Sequence, residues 1–421
     1  MRLFDSDRWH EIFNTLKKNK VRTFFTAFGV FWGIFMLVIM MGAGSGLENS
    51  VGRDMGDMAT NSVFMWTQRT TMPYKGFDRG RYYNFRNGDT QALLDNIPEI
   101  KHIGPRIQGW GGNGSNNVVR GDRTGAFTIQ GDYPAYNLID PVGMKQGRFI
   151  NDLDISNYRK VCVIGERVKN EMFASDEDPI GQYIRIQGVY FKVVGVFKSR
   201  KPHRGEYEDQ VVYLPFTTLQ RTYNLGDLVG WYSITSQENV PVSVVEEKAK
   251  ELLQQRHTIH PDDDRAVGSF NLENEFNKMT NLFSGIRGLI WIVGIGTLLA
   301  GVIGVSNIML IIVKERTREI GIQRAIGATP WMVISQVILE SVILTTIAGY
   351  VGLVIGVGIV EGVNYMLVAT GAESEMFVNP EVNFSAAIQA LEVLVVAGIF
   401  AGIIPAYRAV SMKPIDALRN E

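Results

Sequence analysis

The chain is poor in the residues that build covalent or metal-held scaffolds. Its 421 residues include one cysteine, Cys162, and five histidines. A single cysteine excludes an intrachain disulfide framework, and no CxxC or Cys/His cluster indicates zinc. Cys162 stands in the apolar run 161–164, which predicts a buried, unreactive thiol. His257 and His260 lie beside three aspartates, residues 262–264, in a polar stretch that is typical of a solvated turn rather than a metal site.

An excess of one charge is also missing. The 42 lysines and arginines are offset by 43 acidic residues, for a net charge of −1. Since nucleic acid is held by a basic field, no nucleic-acid partner is expected. No GxxxxGK[ST] loop, GxSxG elbow or HExxH motif occurs in the sequence. We therefore expect a chain that is not an enzyme, binds no cofactor itself and does not hydrolyse ATP unaided.

Long apolar runs are what the sequence does have. The mean hydropathy of +0.02 averages apolar blocks near both ends with a polar middle. A helix needs about 20 apolar residues to cross a bilayer. Four such spans are predicted, and the polar lead before the first favours an uncleaved anchor over a signal peptide. They are residues 23–47, 281–313 with a helical stalk before the apolar run 288–313, 331–362 and 384–407.

Lysine and arginine give the orientation of these spans. They concentrate in residues 1–22, 314–330 and 408–421, whereas the loop 363–383 has none. The positive-inside rule places the three basic segments, and so both termini, in the cytoplasm. Residues 48–280 are then extracytoplasmic, as is the short loop 363–383.

The N-terminal arm, residues 1–22, has its own pattern. Trp9, Ile12, Phe13 and Leu16 recur at helical spacing ahead of a lysine cluster. This predicts a cytoplasmic amphipathic helix on the membrane surface, serving as an anchor or as a partner contact.

Small and charged residues inside the spans predict packing. Glycine pairs four residues apart allow helices to approach closely, within one subunit or between two. Glu340 and Glu392 are costly in hydrocarbon and should face the bundle interior or a polar partner. A proton relay is an alternative, although no lysine, arginine or histidine lies within the apolar runs of the spans. The glycine pairs are Gly29 and Gly33, Gly352 and Gly356, and Gly398 and Gly402.

The polar middle predicts a mixed domain. Short β-branched runs alternate with turns, and Gln187 with Gly188 predicts a hairpin, whereas the glycine-rich stretch 111–117 indicates a flexible loop. The fold class is α+β: four transmembrane helices with a large mixed α/β extracytoplasmic domain between the first and second. Strands are predicted at 62–66, 126–130, 160–164, 183–186, 191–196 and 210–214, and helices at 90–96, 165–173, 242–257 and 271–287.

The basic loop 314–330 lies directly between two apolar spans. It is rich in helix formers and is closed by Gly327 and Pro330. This predicts a short helix near the membrane surface, which a soluble protein can push.

These residues carry a family likeness. Residues 314–329, preceded by 306–310, resemble the loop after the second span of MacB/FtsX-type ABC transporter permeases. The C-terminal residues 402–409 and 413–419 resemble the end of the same family. The likeness covers nearly the whole chain, because a third group of segments is similar to the family's periplasmic core domain: residues 146–149, 163–165, 179–181 and 193–196.

The resemblance implies an inner-membrane permease that forms a homodimer or heterodimer. It lacks the ATPase fused in MacB, so a separate ABC ATP-binding subunit, holding ATP and Mg²⁺, is expected. A periplasmic adaptor and an outer-membrane channel are left open. Nucleotide-driven closure would move the coupling segment, with Arg316, Arg318, Glu319 and Arg324 as polar contacts. The coupling residues carried over are Glu315, Arg316, Thr317, Arg318, Glu319, Ile320, Gly321, Arg324, Gly327 and Ala328.

The function implied is mechanotransmission from that ATPase to the periplasmic domain, which drives export or extraction of an unidentified substrate. Two alternatives keep the fold: an FtsX-like signalling subunit that activates a cell-wall hydrolase, and a lipoprotein-releasing permease. A third is a secondary transporter that uses Glu340 and Glu392 for protons.

Overall fold

The computed structural model describes residues 20–55, 58–108, 117–200, 205–370, 377–382 and 384–411. The amphipathic helix expected in the N-terminal arm, residues 111–116 of the glycine-rich loop and most of the C-terminal tail lie outside these ranges. The chain divides into a membrane unit, residues 1–51 with 281–421, and an inserted domain, residues 52–280.

Helices and strands alternate along the described chain. The helices are α1 (Lys20–Met55), α2 (Asn87–Asn96), α3 (Tyr136–Ile139), α4 (Asp152–Ser156), α5 (Glu166–Met172), α6 (Gly205–Glu208), α7 (Phe216–Thr222), α8 (Val242–Arg256), α9 (Leu272–Glu315), α10 (Thr317–Ala325), α11 (Pro330–Thr370) and α12 (Phe384–Ser411). The strands are β1 (Ser62–Thr67), β2 (Phe85–Arg86), β3 (Ile100–Gln108), β4 (Val118–Arg120), β5 (Arg123–Gly125), β6 (Thr128–Asp132), β7 (Gly143–Gly147), β8 (Val161–Gly165), β9 (Tyr183–Ile186), β10 (Val189–Lys198), β11 (Val211–Pro215), β12 (Leu228–Val229), β13 (Trp231–Ser236) and β14 (Val267–Asn271).

Four helices of the membrane unit, α1, α9, α11 and α12, are long and apolar enough to cross a bilayer. Their shared core is built from aliphatic side chains such as Ile34, Leu298, Val305, Leu353 and Leu394. The predicted fold class, with a mixed domain inserted between the first and second spans, is confirmed. Helix α9 is continuous over 44 residues, a length of about 66 Å at 1.5 Å per residue.

The inserted domain is built on a twelve-stranded mixed sheet in the order β14-β1-β13-β3-β6-β11-β8-β10-β9-β4-β5, with β7 beside β10. The strands β6 and β11, and β8 and β10, pair in parallel. The hairpin predicted at Gln187 and Gly188 is confirmed, since both residues have the positive φ that a tight two-residue turn requires. Cys162 is free and fully buried in β8, and burial raises the pKa of its thiol well above the ordinary value.

The acidic turn near residues 257–264 differs from the expectation. His257 Nε2 lies 2.7 Å from Asp89 Oδ2, and Arg256 Nε donates to Asp89 Oδ1 at 2.6 Å. The buried carboxylate of Asp263 accepts hydrogen bonds from Thr71, from both its backbone N–H and its hydroxyl. The prediction of a solvated turn is therefore wrong for His257 and Asp263, because neighbouring segments in space cover them.

Candidate functional site: the elbow between the second and third spans

Helix α10 follows α9 after a single-residue bend. At the junction Arg316 has φ −92° and ψ 12°. Its N–H still donates to the Ile312 carbonyl at 2.9 Å, and the N–H of Ile320 donates to the Arg316 carbonyl at 3.0 Å. The chain therefore turns here with its backbone hydrogen bonds intact.

Glycine and proline set the other end of α10. Gly327 has φ +111°, its N–H donates to the Arg324 carbonyl at 3.2 Å, and the N–H of Ala328 donates to the Gln323 carbonyl at 3.0 Å. These are the two bonds of a Schellman motif, which ends a helix at a left-handed glycine. Pro330 then opens α11, in the first-turn position that proline favours. The predicted short helix, closed by Gly327 and Pro330, is confirmed.

An ion pair ties the bend to the third span. Arg316 Nη1 donates to Glu340 Oε1 at 2.9 Å, and Arg316 Nε donates to Glu319 Oε2 at 3.0 Å. The side chains of Arg316 and Glu340 are 15% and 8% exposed. The apolar runs of the spans contain no lysine, arginine or histidine, so the loop supplies the partner that the intramembrane carboxylate needs.

A second arginine ties α10 to the fourth span. Arg324 Nη1 donates to the Val410 carbonyl at 2.6 Å. Val410 lies in the last turn of α12, where a backbone carbonyl finds no N–H donor within its own helix. Ile320 and Gly321 are buried between these two ties. One side of α10 is thus fastened to its own bundle.

The other side of α10 is open. Arg318 and Ile322 are exposed on the helix, followed by Ile326 at 83% and Trp331 at 69% exposure. We call these four residues the elbow face. Of the other residues carried over from the resemblance, Glu315, Glu319 and Gly327 are exposed, and Thr317 and Ala328 are partly buried.

Sequence reasoning singled out charge and so overlooked three members of this face. Ile322 and Ile326 stand four residues apart, the spacing that puts side chains on one side of a helix, and Trp331 lies just beyond them. This spacing of exposed apolar residues is the sequence signal that could have identified the elbow face.

The structure separates the two intramembrane carboxylates. Glu340 is buried against Arg316, whereas Glu392 is exposed on α12. The expectation of an interior position is wrong for Glu392 within this chain, because it lies on the outward side of its helix. A polar partner for Glu392 stays a prediction.

The predicted glycine pairs all lie where helices of this chain approach each other. A Cβ on Gly29 would be 3.4 Å from the Gly301 Cα, and a Cβ on Gly352 would be 2.6 Å from the Phe31 carbonyl oxygen. The remaining contacts are equally close: Gly33 against Leu298, Gly356 against Val38, Gly398 against Val342 and Gly402 against Ile338.

Fold and elbow together define a class: a multi-pass membrane protein with a mixed α/β domain inserted after its first span and a short helix fastened beneath the bundle. Residues 23–255 match the MacB-like periplasmic core domain, and residues 291–414 match the FtsX-like permease C-terminal domain. The chain belongs to the MacB/FtsX-type ABC transporter permease family, as the resemblance implied.

Named relatives show how much of such proteins the chain covers. It is 29% identical over 405 residues to the pyoverdine export ATP-binding/permease protein PvdT of Pseudomonas entomophila, covering 96% of this chain and 58% of that protein. It is 30% identical over 422 residues to the macrolide export ATP-binding/permease protein MacB of Chlorobaculum tepidum, covering 98% and 61%. The chain thus spans less than two-thirds of the length of these relatives.

Among solved structures, the periplasmic region of MacB from Actinobacillus actinomycetemcomitans is similar. It has 20% identity and a TM-score of 0.43, and the match covers 54% of this chain and 96% of that one. The extracellular domain of the ABC-type transporter YknZ from Gram-positive bacteria matches with 16% identity, a TM-score of 0.41 and coverage of 50% and 100%.

Proposed function

We propose that this chain is the permease subunit of a MacB-like ABC transporter that transmits movement from an ABC ATP-binding subunit to its own extracytoplasmic domain. In this proposal, ATP and Mg²⁺ are held by that ATPase. The positive-inside distribution supports an inner-membrane location with the elbow and both termini in the cytoplasm.

The observation that carries the proposal is the elbow face. The exposed residues Arg318, Ile326 and Trp331 have a composition typical of a protein-binding hot spot, which is enriched in tryptophan and arginine. The inner side of the same helix is already occupied by its own bundle. An ATPase docking on the open side is therefore joined to the membrane helices through Arg316 and Arg324.

Helix α9 supports transmission through the chain. It ends at the bend beside the elbow, and it begins directly after β14, which pairs with β1 along its whole length. An unbroken helix carries displacement along its axis, so movement at Glu315 is passed towards Leu272. The ion pair with Glu340 makes the third span move with the bend.

Export is favoured over signalling as the outcome. Two of the relatives are named for export of pyoverdine and of macrolides, and neither name refers to a cell-wall hydrolase. ATP hydrolysis stimulated by the exported compound in vesicles would support export; activation of an added hydrolase would support signalling. The exposed Glu392 is expected to be covered by a second permease copy, because an isolated carboxylate is costly in hydrocarbon.

One substitution tests the elbow directly. Ile326→Asp places a charge in the proposed interface without disturbing a buried contact, since the side chain is exposed. We expect binding of the ATPase in co-reconstituted vesicles to weaken by tenfold or more, because an unpaired buried charge costs upwards of about 2 kcal/mol. Leu138→Asp, at an exposed leucine of the inserted domain, is the matched control. Undiminished ATPase binding and coupling in the Ile326 variant would overturn the proposal.

A further inference from the structure

A cavity of about 430 Å³ opens in the membrane unit, at the end of the bundle where α1 leads into the inserted domain. It lies among α1, α9, the start of α12 and the segment 377–382. Its volume falls in the range of small-molecule sites. Neither the elbow nor its ion pair borders it.

The segment that closes the cavity is held firmly to α1. Ser45 Oγ donates to the Glu381 carbonyl at 2.6 Å, and the N–H of Glu381 donates back to Ser45 Oγ at 3.1 Å. Asn49 Nδ2 donates to the Asn379 carbonyl at 2.9 Å. These reciprocal bonds fix the wall, so the cavity is formed before any ligand arrives.

The lining changes from charged to apolar with depth. Glu48 and Arg287 are the first charged residues beyond the charge-free runs of α1 and α9, which places them at headgroup level. Met41 lies seven residues further in, about 10 Å along the helix, and Trp291, four residues beyond Arg287 along α9, also lines the cavity. A phospholipid has the same gradient between its head and its glycerol.

The charges at the mouth are of both signs. Arg287 Nη1 is 3.1 Å from each oxygen of Glu48, and its Nη2 donates to Ser284 Oγ at 3.2 Å, while 53% of the side chain stays exposed. Glu381 adds a second carboxylate and Gln389 an amide. A guanidinium suits a phosphate, and a carboxylate beside an amide oxygen suits an ammonium that can donate hydrogen bonds.

We propose that this cavity binds a phosphoethanolamine group, supplied as a phospholipid head by the adjoining leaflet. Arg287 contacts the phosphate, Glu381 contacts the primary ammonium, and Met41 and Trp291 contact the glycerol region. A choline head has no N–H to donate, so phosphatidylcholine binds less well. This site is independent of the proposed coupling to an ATPase.

Lipid retention tests the proposal on the full-length chain. The protein is equilibrated in nanodiscs with equal phosphatidylethanolamine, phosphatidylcholine and phosphatidylglycerol, extracted in detergent, and examined by native mass spectrometry. We expect phosphatidylethanolamine to be retained preferentially. Arg287→Gln and Glu381→Gln should each lower that retention about tenfold, the effect of one lost charged hydrogen bond. Glu361→Gln, at an exposed carboxylate of α11 outside the cavity, should leave it unchanged.

A second measurement separates the lipid from a free headgroup. Thermal stability of lipid-stripped protein is followed with detergent micelles that contain phosphatidylethanolamine and, separately, with soluble phosphoethanolamine. Stabilisation by micelles alone assigns the ligand to the bilayer, and equal stabilisation assigns it to a soluble phosphoamine. Equal retention of all three lipids, or undiminished retention in a folded Glu381→Gln protein, would overturn the inference.

Discussion

Removing the charge of Glu340 is the sharpest perturbation of the elbow. Glutamine keeps the size and one acceptor, but it removes the buried counter-charge of Arg316, whose Nε still donates to the exposed Glu319. Both side chains are largely buried and the Nη1–Oε1 distance is 2.9 Å. Neutralising one member of a buried ion pair lowers the free energy of unfolding by about 3 kcal/mol. Neutralising both members lowers it by much less than twice that amount.

A double-mutant cycle measures this coupling. Glu340→Gln, Arg316→Gln and the double variant of the full chain are unfolded in mixed micelles and followed by circular dichroism of the helices. We expect each single change to cost about 3 kcal/mol, with a coupling energy of about 2 kcal/mol between them. The exposed pair of Arg287 and Glu48 is the matched control, with a coupling below about 1 kcal/mol.

The outcome that refutes the reasoning is additivity. If the two single changes sum to the double change within about 0.5 kcal/mol, Arg316 does not hold Glu340 in the membrane. The bend would then be fastened by other contacts, and the proposed link between α10 and the third span would lose its physical basis.

Three further outcomes follow from the same contacts. Replacing Arg318 and Glu319 together by alanine should uncouple ATP hydrolysis from the outer domain without preventing insertion, as measured in reconstituted vesicles. Gly352→Ala should cost about 1–3 kcal/mol by overpacking against the Phe31 carbonyl, measured by thermal melting, whereas Gly358→Ala, with open space around it, should cost little. In Asp89, burial opposes ionisation, but hydrogen bonds from His257 and Arg256 outweigh it and lower the pKa. The lower stability of Asp89→Asn should therefore be evident above about pH 4 and vanish as wild-type Asp89 protonates below it, as followed by melting temperature against pH.

Periodicity alone was enough for the architecture. Residues 288–313 form a charge-free run long enough to span the bilayer. In hydrocarbon such a run must be helical, because only a helix pairs its backbone N–H and C=O groups within one segment. In the inserted domain, β8 is signalled by its β-branched run and the β9–β10 hairpin by Gln187 and Gly188, because both signals are local. Strands such as β3, whose sequence contains Gly104 and Pro105, were not predicted; β3 is held by pairing with β13, far along the chain.

Contacts between residues far apart in the sequence could not be predicted from local patterns. Arg316 and Glu340 are 24 residues apart and meet only because the end of α9 and the first part of α11 come together in the folded chain. Asp89 and His257 are separated by 168 residues, so nothing local marks His257 as half-buried. The charge pattern predicts that Arg316 and Arg324 lie on the cytoplasmic side. It does not predict whether their side chains face the bundle or the solvent.

The direction in which these residues turn gives α10 two separate tasks. Its inward arginines bind groups that only the bundle offers, an intramembrane carboxylate and a helix-terminal carbonyl. Three of the four elbow-face residues are apolar, so a partner that buries Ile322, Ile326 and Trp331 removes water mainly from apolar side chains. If both arginines faced outward, docking would have to desolvate them, and Glu340 would lose its ion pair with Arg316. Because Arg316 and Arg324 face the bundle, they need not be desolvated when a partner docks. Arg316 at the same time stabilises the third span through its ion pair with Glu340.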